Sequence, residues 1–594
     1  MMRPVRKRLA RDVNLPAPVR GLMEYTPVTK PDPLGAEVVE NWLPTSRGLR
    51  VRGGYTRAAF VTDAVKTIFS LREAANPALF AATSNAIYDI TSQNPTTAPA
   101  PEVSQMTSGD WSTQQIGLSG DNFLVAVNGA DTAQVYQAGW NPLAGEAVNA
   151  LQYDAGSGFL IGETVTGGTS GATATILGLA ETTGTTGTLK IGAVTGGPFQ
   201  DNEALTSASG SATANGAETS ASTAAITGVD TSSLSHVWLY RSRLLFVEKD
   251  SLTAWYLPVS QVGGAAQDIS LAGVFRRGGS LLMGATWSLD TGDGIDDKCV
   301  FISDQGEVAI YRGSNPSDAN DWALEGRYDI GKPLGKRATM QAGGDLLVAT
   351  DDGIVPISQA ITKDPAALSL AAVTRNIQRT WGRQTEAFGQ NAELIKWTSN
   401  NLMCVVLPGG QDMLTANLET GAWAPQSGWY ADCADEYFND VFIGRADGRV
   451  YKLDSSGADD GAPFVARLAY GFQDLGRPQD YKTASMMRGS FFTSGNLKPK
   501  YSASCDYTVS FPSPPATSEN PTTAMVWDVD NWDEAVWGGA PGDPSVGKVT
   551  QWQSVSCAGY AISPCVQVTS SGSEKLDVEL LGVDLIFEQG GRAA

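Results

Sequence analysis

VFISDQGEVAIY, residues 300–311, is a hydrophobic run, a tight polar turn and a second hydrophobic run. Strand side chains alternate between faces with period two, and a Gly beside a polar residue supplies the φ > 0 turn, so the stretch reads as a β-hairpin. Six further stretches share its form: LFAATSNAIYDI (79–90), FLVAVNGADTAQVY (123–136), LLFVEKDSLTAWYL (244–257), LLVATDDGIVPI (346–357), MCVVLPGGQDMLTANL (403–418) and VFIGRADGRVYKL (441–453). One insertion aside, they recur about every forty to fifty-five residues, the spacing of propeller blades. The expected fold is all-β. A β-propeller of six to seven blades occupies residues 61–142 and 223–460, a small inserted β-module 143–222, and a C-terminal β-sandwich-like platform domain 461–594. A propeller is a scaffold, so function has to come from what decorates it.

The insertion is rich in Gly, Thr, Ala and Ser and carries its own duplication. FLIGETVTGGTSGATAT (159–175) aligns with FQDNEALTSASGSATAN (199–215), keeping Phe, Glu, Thr and Ala in register. Two copies of a short β pattern imply a pseudo-symmetric roll projecting from one blade, with Phe159, Val165, Ile176, Phe199 and Leu205 as its core. In the platform domain, strands are separated by the Trp-, Asp- and Pro-rich stretch 527–544. Its Trp527, Trp532 and Trp537 read either as a cluster packing the loop down or as an interface anchor.

Residues 1–60 begin with five cations, Arg3, Arg6, Lys7, Arg8 and Arg11, followed by Pro16 and Pro18. They read as an extended basic arm without a core of its own, either lying against an acidic partner or frayed. ENWLPTSRGLRVRGGYTRAAF (40–60) reads as a strand leading into the first sheet. Trp42 and the second positive cluster, Arg47, Arg50 and Arg52, join the arm as expected contacts to another subunit or an adaptor, because local positive charge is unusual in this chain.

The formal charge of −21 argues against a sequence-reading nucleic-acid binder, which needs a basic face to neutralise phosphates. It is compatible with a conduit through which DNA slides without being gripped, and equally with acidic residues that keep a large protein soluble. No run of eighteen apolar residues is present, and the basic N-terminus is not followed by the apolar stretch of a secretory signal. Six cysteines without CxxC spacing read as buried thiols rather than a disulfide framework or zinc site, which fits assembly in a reducing cytoplasm.

Catalytic chemistry is sparse. His236 is the single histidine and reads as a packing or hydrogen-bonded residue, since a triad would need partners that the sequence does not supply. No GxSxG, P-loop, HExxH or dinucleotide fingerprint occurs. The turn DTGDGIDD, with Asp290, Asp293, Asp296 and Asp297, resembles the start of a calcium loop but has Phe301 where a closing Glu would stand. It reads as an exposed turn. No catalytic residue, cofactor or metal site is expected.

Two stretches resemble a known family. PAPVRGLMEYTPVTKPDPLGAEVVENWLPTSRGLRVRGGY (16–55) is one, and the other is residues 292–337, GDGIDDKCVFISDQGEVAIYRGSNPSDANDWALEGRYDIGKPLGKR, continuing into GGDLLVATDDGIVPIS (343–358). They resemble the tail nozzle, or tail tubular protein B, of short-tailed bacteriophages. The likeness covers the N-terminal region and the central propeller, weakens in the C-terminal domain and does not reach the insertion. It implies a homo-hexameric ring in the virion, assembled in the host cytoplasm, below an adaptor or gatekeeper protein that joins it to the portal. Such a ring carries tail fibres or spikes and passes double-stranded DNA without reading its sequence. Two other classes are a glycan-binding host-recognition protein and, more remotely, a propeller glycoside hydrolase working with carboxylates.

Overall fold

The structure is a computed structural model that describes residues 10–25, 31–73, 76–118, 120–137, 139–143, 148–183, 185–222, 225–290, 295–388, 391–493, 497–518 and 547–592. Seven antiparallel sheets are built from residues 67–104, 112–142, 234–270, 281–329, 339–356, 393–430 and 433–456. The first strand of every sheet lines one central cavity, which makes them the blades of a seven-bladed propeller. The quoted hairpins are the middle strands of those blades. In blade four, Val300–Ile302 pairs with Val308–Ile310 through the turn at Gly306, whose φ is 79°. A Cβ on Gly306 would fall 2.5 Å from the Ile330 carbonyl oxygen, so both the turn and the neighbouring strand require glycine.

The hairpins read as continuous apolar runs because each blade is covered on both faces. Phe301 and Ala309 face blade three, where they pack with Trp238 and Leu245. Val300, Ile302, Val308 and Ile310 face blade five, against Val348 and Val355. Burial on alternate faces against two neighbours stacks the ring without any single central core.

Two blades depart from the four-strand plan. Blade five has three strands (Thr339–Ala342, Asp345–Thr350 and Gly353–Pro356), and its outer side is taken by a helical segment with α1 (Ile357–Thr362), α2 (Leu368–Ala371) and α3 (Gln378–Phe388). Trp381 of α3 is buried and its indole N–H donates to the Thr350 carbonyl at 3.1 Å, pinning the helix to the strand it covers. Blade seven takes its outermost strand from the other end of the propeller: Gly54–Phe60 pairs antiparallel with Arg449–Ser456. This corrects the reading of 40–60 as a strand leading into the first sheet. The segment closes the last one.

The platform is a two-sheet sandwich. One sheet centres on Val578–Arg592 and Asp480–Thr493, the other on Phe464–Tyr470, Ile562–Ser570 and Lys500–Cys505. Four N-terminal strands complete it. Ala10–Pro16 and Leu49–Val51 pair with Val578–Arg592, Trp42–Pro44 pairs with Leu49–Val51, and Ala36–Glu40 pairs with Phe464–Tyr470. Leu15, Trp42, Leu49 and Val51 belong to the same buried core as Leu468, Val566 and Leu580. Residues 10–51 are therefore part of the platform rather than an arm without a core. Arg11 is exposed on that strand, whereas Arg3, Arg6, Lys7 and Arg8 lie outside the described residues, as do Trp527, Trp532 and Trp537. The cysteine reading is corrected at one pair: Cys505 and Cys557 form a disulfide between the two sheets, Cα atoms 6.2 Å apart, while Cys299, Cys404, Cys433 and Cys565 are buried thiols.

The insertion is a small closed barrel. Its strands run in the order Thr186–Ile191, Thr173–Thr183, Thr164–Gly167, Ala204–Thr206, Ser211–Ala214 and Val148–Ser157, and the last pairs back on the first. Phe159, Val165, Ile176, Phe199 and Leu205 fill its core. The duplication has a structural use: the repeated glutamates cross over. Glu163 of the first copy accepts from the Ser207 hydroxyl and the Ser209 hydroxyl, both at 2.5 Å, while Glu203 of the second accepts from the amides of Thr169 (3.0 Å) and Ser170 (2.9 Å). Each repeat holds the other's loop. Burial pushes the Glu203 carboxyl up, but amides of Ser170 and Gln200 more than offset it and hold the group below the usual carboxylate range. The barrel leans on blade one, where Gln105 Nε2 donates to the Phe159 carbonyl at 2.6 Å and Gln105 Oε1 accepts from the Ile161 amide at 2.9 Å.

Glu203→Ala strips the acceptors from the loop of the first repeat and leaves the blades untouched. Hydrogen exchange should show amide protection around residues 166–172 falling by about tenfold to a hundredfold, the loss of one charge-assisted bond or slightly more, with exchange in blades four and six unchanged.

Candidate functional site

Two places concentrate polar chemistry: the joint between platform and propeller, and the channel along the propeller axis. The joint is made by Arg52, which the chain direction places between the platform strand Leu49–Val51 and the closing strand Gly54–Phe60. Its side chain is completely buried. Nη1 and Nη2 each donate to one oxygen of Asp459 at 2.8 Å, Nε donates to Asn41 Oδ1 at 2.9 Å, and the remaining N–H groups reach the carbonyls of Gly53 (2.8 Å) and Ser427 (2.7 Å). The guanidinium lies over the Phe464 ring of the platform at 3.9 Å and near Trp429 of blade six at 5.1 Å. A planar fork with every donor engaged fixes orientation as well as distance.

The neighbouring arginines act in the same place. Arg50 pairs with Asp454 at 3.2 Å, and Lys575 of the platform pairs with the same carboxylate. Asp454 is pushed up by burial, yet Arg50 and Lys575 outweigh that and hold its carboxyl low. Arg47, exposed, pairs with Glu579 at 2.7 Å and lies over the Phe492 ring. Trp42 is fully buried in the platform core. The expectation that Trp42 and Arg52 meet a partner is corrected, since a residue with no exposed surface has nothing to offer outside; Arg50, partly buried, is already paired with Asp454 inside the chain. A strap from the N-terminus reinforces the joint. The Leu22 amide donates to the Trp423 carbonyl at 2.8 Å, and Glu24 accepts from the Thr380 amide (2.9 Å) and hydroxyl (2.7 Å) in the first turn of α3.

The channel is a cavity of about 870 Å³ lined by the first strands of all seven blades. At the end where those strands begin, an ion cluster spans it. Lys336 and Arg337, just before the inner strand of blade five, reach Asp110 before blade two and Glu393 in blade six. Lys336 Nζ donates to the carbonyls of Asp110 (2.6 Å) and Ser235 (3.1 Å) and lies 3.1 Å from Asp110 Oδ2. Arg337 Nε donates to Glu393 at 2.5 Å and Nη1 to Asp110 Oδ1, while the other Glu393 oxygen accepts from the Ala434 amide of blade seven at 2.9 Å. Burial works against the Arg337 charge, but Glu393 and Asp110 outweigh it and keep the guanidinium ionised. Burial brings Lys336 down to about 8, although Asp110 pulls the other way.

His236 stands beside this cluster on blade three. Its Nε2–H donates to the Gly284 carbonyl at 2.9 Å, and Nδ1 accepts from the Ser112 hydroxyl at 2.9 Å. Ser112 Oγ also accepts from the Val237 amide at 3.2 Å. This Ser–His contact lacks the orienting carboxylate of a triad, because the second nitrogen is held by a backbone carbonyl. Burial pushes the imidazole down to about 4, which makes it a weak proton acceptor at neutral pH. The hydrogen-bonded role read from the sequence is the one observed. The cluster around it went unread, and its signal was faint: a Gly-Lys-Arg-Ala run (335–338) and an Asp-Trp pair (110–111), each just before an inner strand. Of the acidic turn, Asp290, Asp293 and Asp296 side chains lie outside the described residues, and Asp297 borders the channel. Among the described residues no group of three or more His, Cys, Asp or Glu could hold a metal.

No family model and no curated protein matches the chain. Among solved structures it is similar to the computationally designed Ika8 protein at 11% identity, covering 67% of this chain and 98% of that one with a TM-score of 0.32. It is also similar to YCF48 from Cyanidioschyzon merolae (10% identity, 68% and 98% covered, TM-score 0.27) and to the β-propeller domain of Myceliophteria thermophila Cps50 (7% identity, 67% and 99% covered, TM-score 0.26). At such scores the propeller stands on its seven sheets, not on these likenesses.

Arg52→Met should lower stability by about 3–5 kcal/mol in urea unfolding, because it strands Asp459 and Asn41 at a closed joint. A loss below about 1 kcal/mol would mean that water reaches the site. The pH dependence follows from His236. Between its unfolded value near 6.5 and its folded value of about 4, the unfolded chain binds the extra proton, so stability is unaffected above that window and drops by about 3 kcal/mol across it as pH falls. With a single histidine, a carbon-13-labelled sample reads this directly: the imidazole signal should not titrate between about pH 7.5 and 5.

Proposed function

We propose that the chain is a structural subunit of a short bacteriophage tail, forming the distal nozzle ring of the DNA-ejection conduit below the adaptor and portal. The observation that carries this reading is the joint. The most characteristic phrase of the family resemblance, ENWLPTSRGLRVRGGY, is the segment that completes the platform, buries Arg52 and leads into the strand that closes the propeller. Two domains of one chain move relative to each other by default unless their interface is large or locked. A subunit that helps hold DNA back and then lets it pass needs such a lock, and a buried bidentate arginine between the bodies supplies one.

Charge supports the same reading. A chain of formal charge −21, repeated around a ring, presents a negative lumen that lowers adhesion of passing DNA. Fibres or spikes, the adaptor and the DNA are the partners this function requires. The glycan-binding alternative is disfavoured by the inserted barrel, whose three aromatics, Tyr153, Phe159 and Phe199, are all buried and offer no stacking surface for a sugar. The hydrolase alternative is disfavoured by a channel in which two of the lining carboxylates, Glu393 and Asp435, are tied into ion pairs with Arg337 and Arg72.

Light scattering on the purified full-length chain tests the proposal. A particle of six times 62.5 kDa, seen as a ring by electron microscopy, is the expected result. A stable trimer would favour a fibre or spike protein, and a chain that stays monomeric at high concentration would overturn the nozzle reading.

A further inference from the structure

The disulfide sits where it controls the platform. Cys505 ends the strand Lys500–Cys505 of one sheet, and Cys557 lies in Gln553–Gly559 of the other. Their Cα separation of 6.2 Å is within the range that a disulfide spans without moving the backbone. The two strands are held together there by more than sulfur. The Asp506 amide donates to the Ala561 carbonyl at 3.0 Å, and Asp506 Oδ1 accepts from the amides of Tyr560 (2.7 Å) and Ala561 (3.2 Å). Reduction therefore leaves the two thiols side by side at high effective concentration, ready to close again.

The pair is also chemically singled out. Cys505 and Cys557 are half-buried, within reach of a small thiol reagent. Cys299, Cys404, Cys433 and Cys565 are buried, and burial pushes each of their thiols up, Cys404 to about 12, so they supply little thiolate. A mild oxidant has one place to act.

We propose that Cys505 and Cys557 form a reversible redox staple, open as two thiols in a reducing compartment and closed across the two platform sheets when a small-molecule disulfide is supplied. The step is thiol–disulfide exchange. One cysteine thiolate attacks the small disulfide and expels one thiolate of it. The second cysteine then attacks the mixed disulfide and expels the other, so two protein thiols are oxidised, one small disulfide is reduced to two thiols, and the protons leave with them. Closure rings a chain segment of 52 positions and ties one platform sheet to the other. The staple does not depend on the tail reading.

The full-length chain is equilibrated with excess dithiothreitol or with excess oxidised glutathione, then unfolded and its thiols counted with a chromogenic disulfide reagent. Six thiols after reduction and four after oxidation are expected, with peptide mass mapping placing the bond at Cys505–Cys557. Cys505→Ser should show five free thiols after reduction and, after oxidation, no intramolecular bond, with Cys557 held as a mixed disulfide with glutathione that the mass map reads. The closed form should unfold with an equilibrium about a thousandfold less favourable than the open form, a difference that Cys505→Ser abolishes. Six thiols after oxidation, or a bond mapped to another pair, would overturn the proposal. If Cys505→Ser does not fold, the wild-type count and map decide alone.

Discussion

The chain closes on itself through one strand. Gly54–Phe60 leaves the platform and pairs with Arg449–Ser456, so blade seven is complete only when the two ends of the propeller meet. Without it, blade seven would present a bare edge, the kind of unpaired ladder that recruits other chains. The entropic cost of joining distant segments grows only slowly with the length of the loop, which is why a closure across most of the chain is possible at all. Because the same stretch also contributes Leu49–Val51 to the platform, ring closure and domain joining are one event, and Arg52 lies at its midpoint.

Two kinds of force divide the labour. Between blades, apolar cores such as Val300, Ile302, Val348 and Val355 supply most of the stabilisation, but apolar contact is non-directional and tolerates sliding. Orientation comes from buried charge. Arg52 on Asp459, Arg50 and Lys575 on Asp454, and Arg337 between Asp110 and Glu393 each tie elements distant in sequence. In a low-dielectric interior an unpaired partner is costly, so these clusters have few acceptable arrangements. The result is a body whose blades, strap and platform share one geometry.

The inserted barrel shows the same logic on a smaller scale. Its repeats are too short to bury a core alone, and the glutamate at the same place in each copy secures the loop of the other. The module has its own core and touches the propeller mainly through blade one, so it is an addition to the ring and not a member of it.

Local pattern was enough to recover the hairpins, the propeller, the duplicated insertion and the hydrogen-bonded character of His236, because turns, periodicity and repeats are written in neighbouring residues. Blade five's helical cover escaped: α3 is short, and its Trp381 and the Ile377 just before it look like any two hydrophobic residues until a strand edge is placed beneath them. Arg47, Arg50 and Arg52 read as a surface cluster because nothing nearby in sequence neutralises them, while Asp454, Asp459 and Glu579 arrive from the opposite end of the chain. The sequence by itself determined which stretches would be hairpins and that they repeat as six to seven blades. Only the tertiary structure decided which blade receives the N-terminal strand, which cysteines meet and which arginine, Arg52, vanishes from the surface, because those outcomes are set by long-range pairing, and a charge's partner cannot be read from its neighbours.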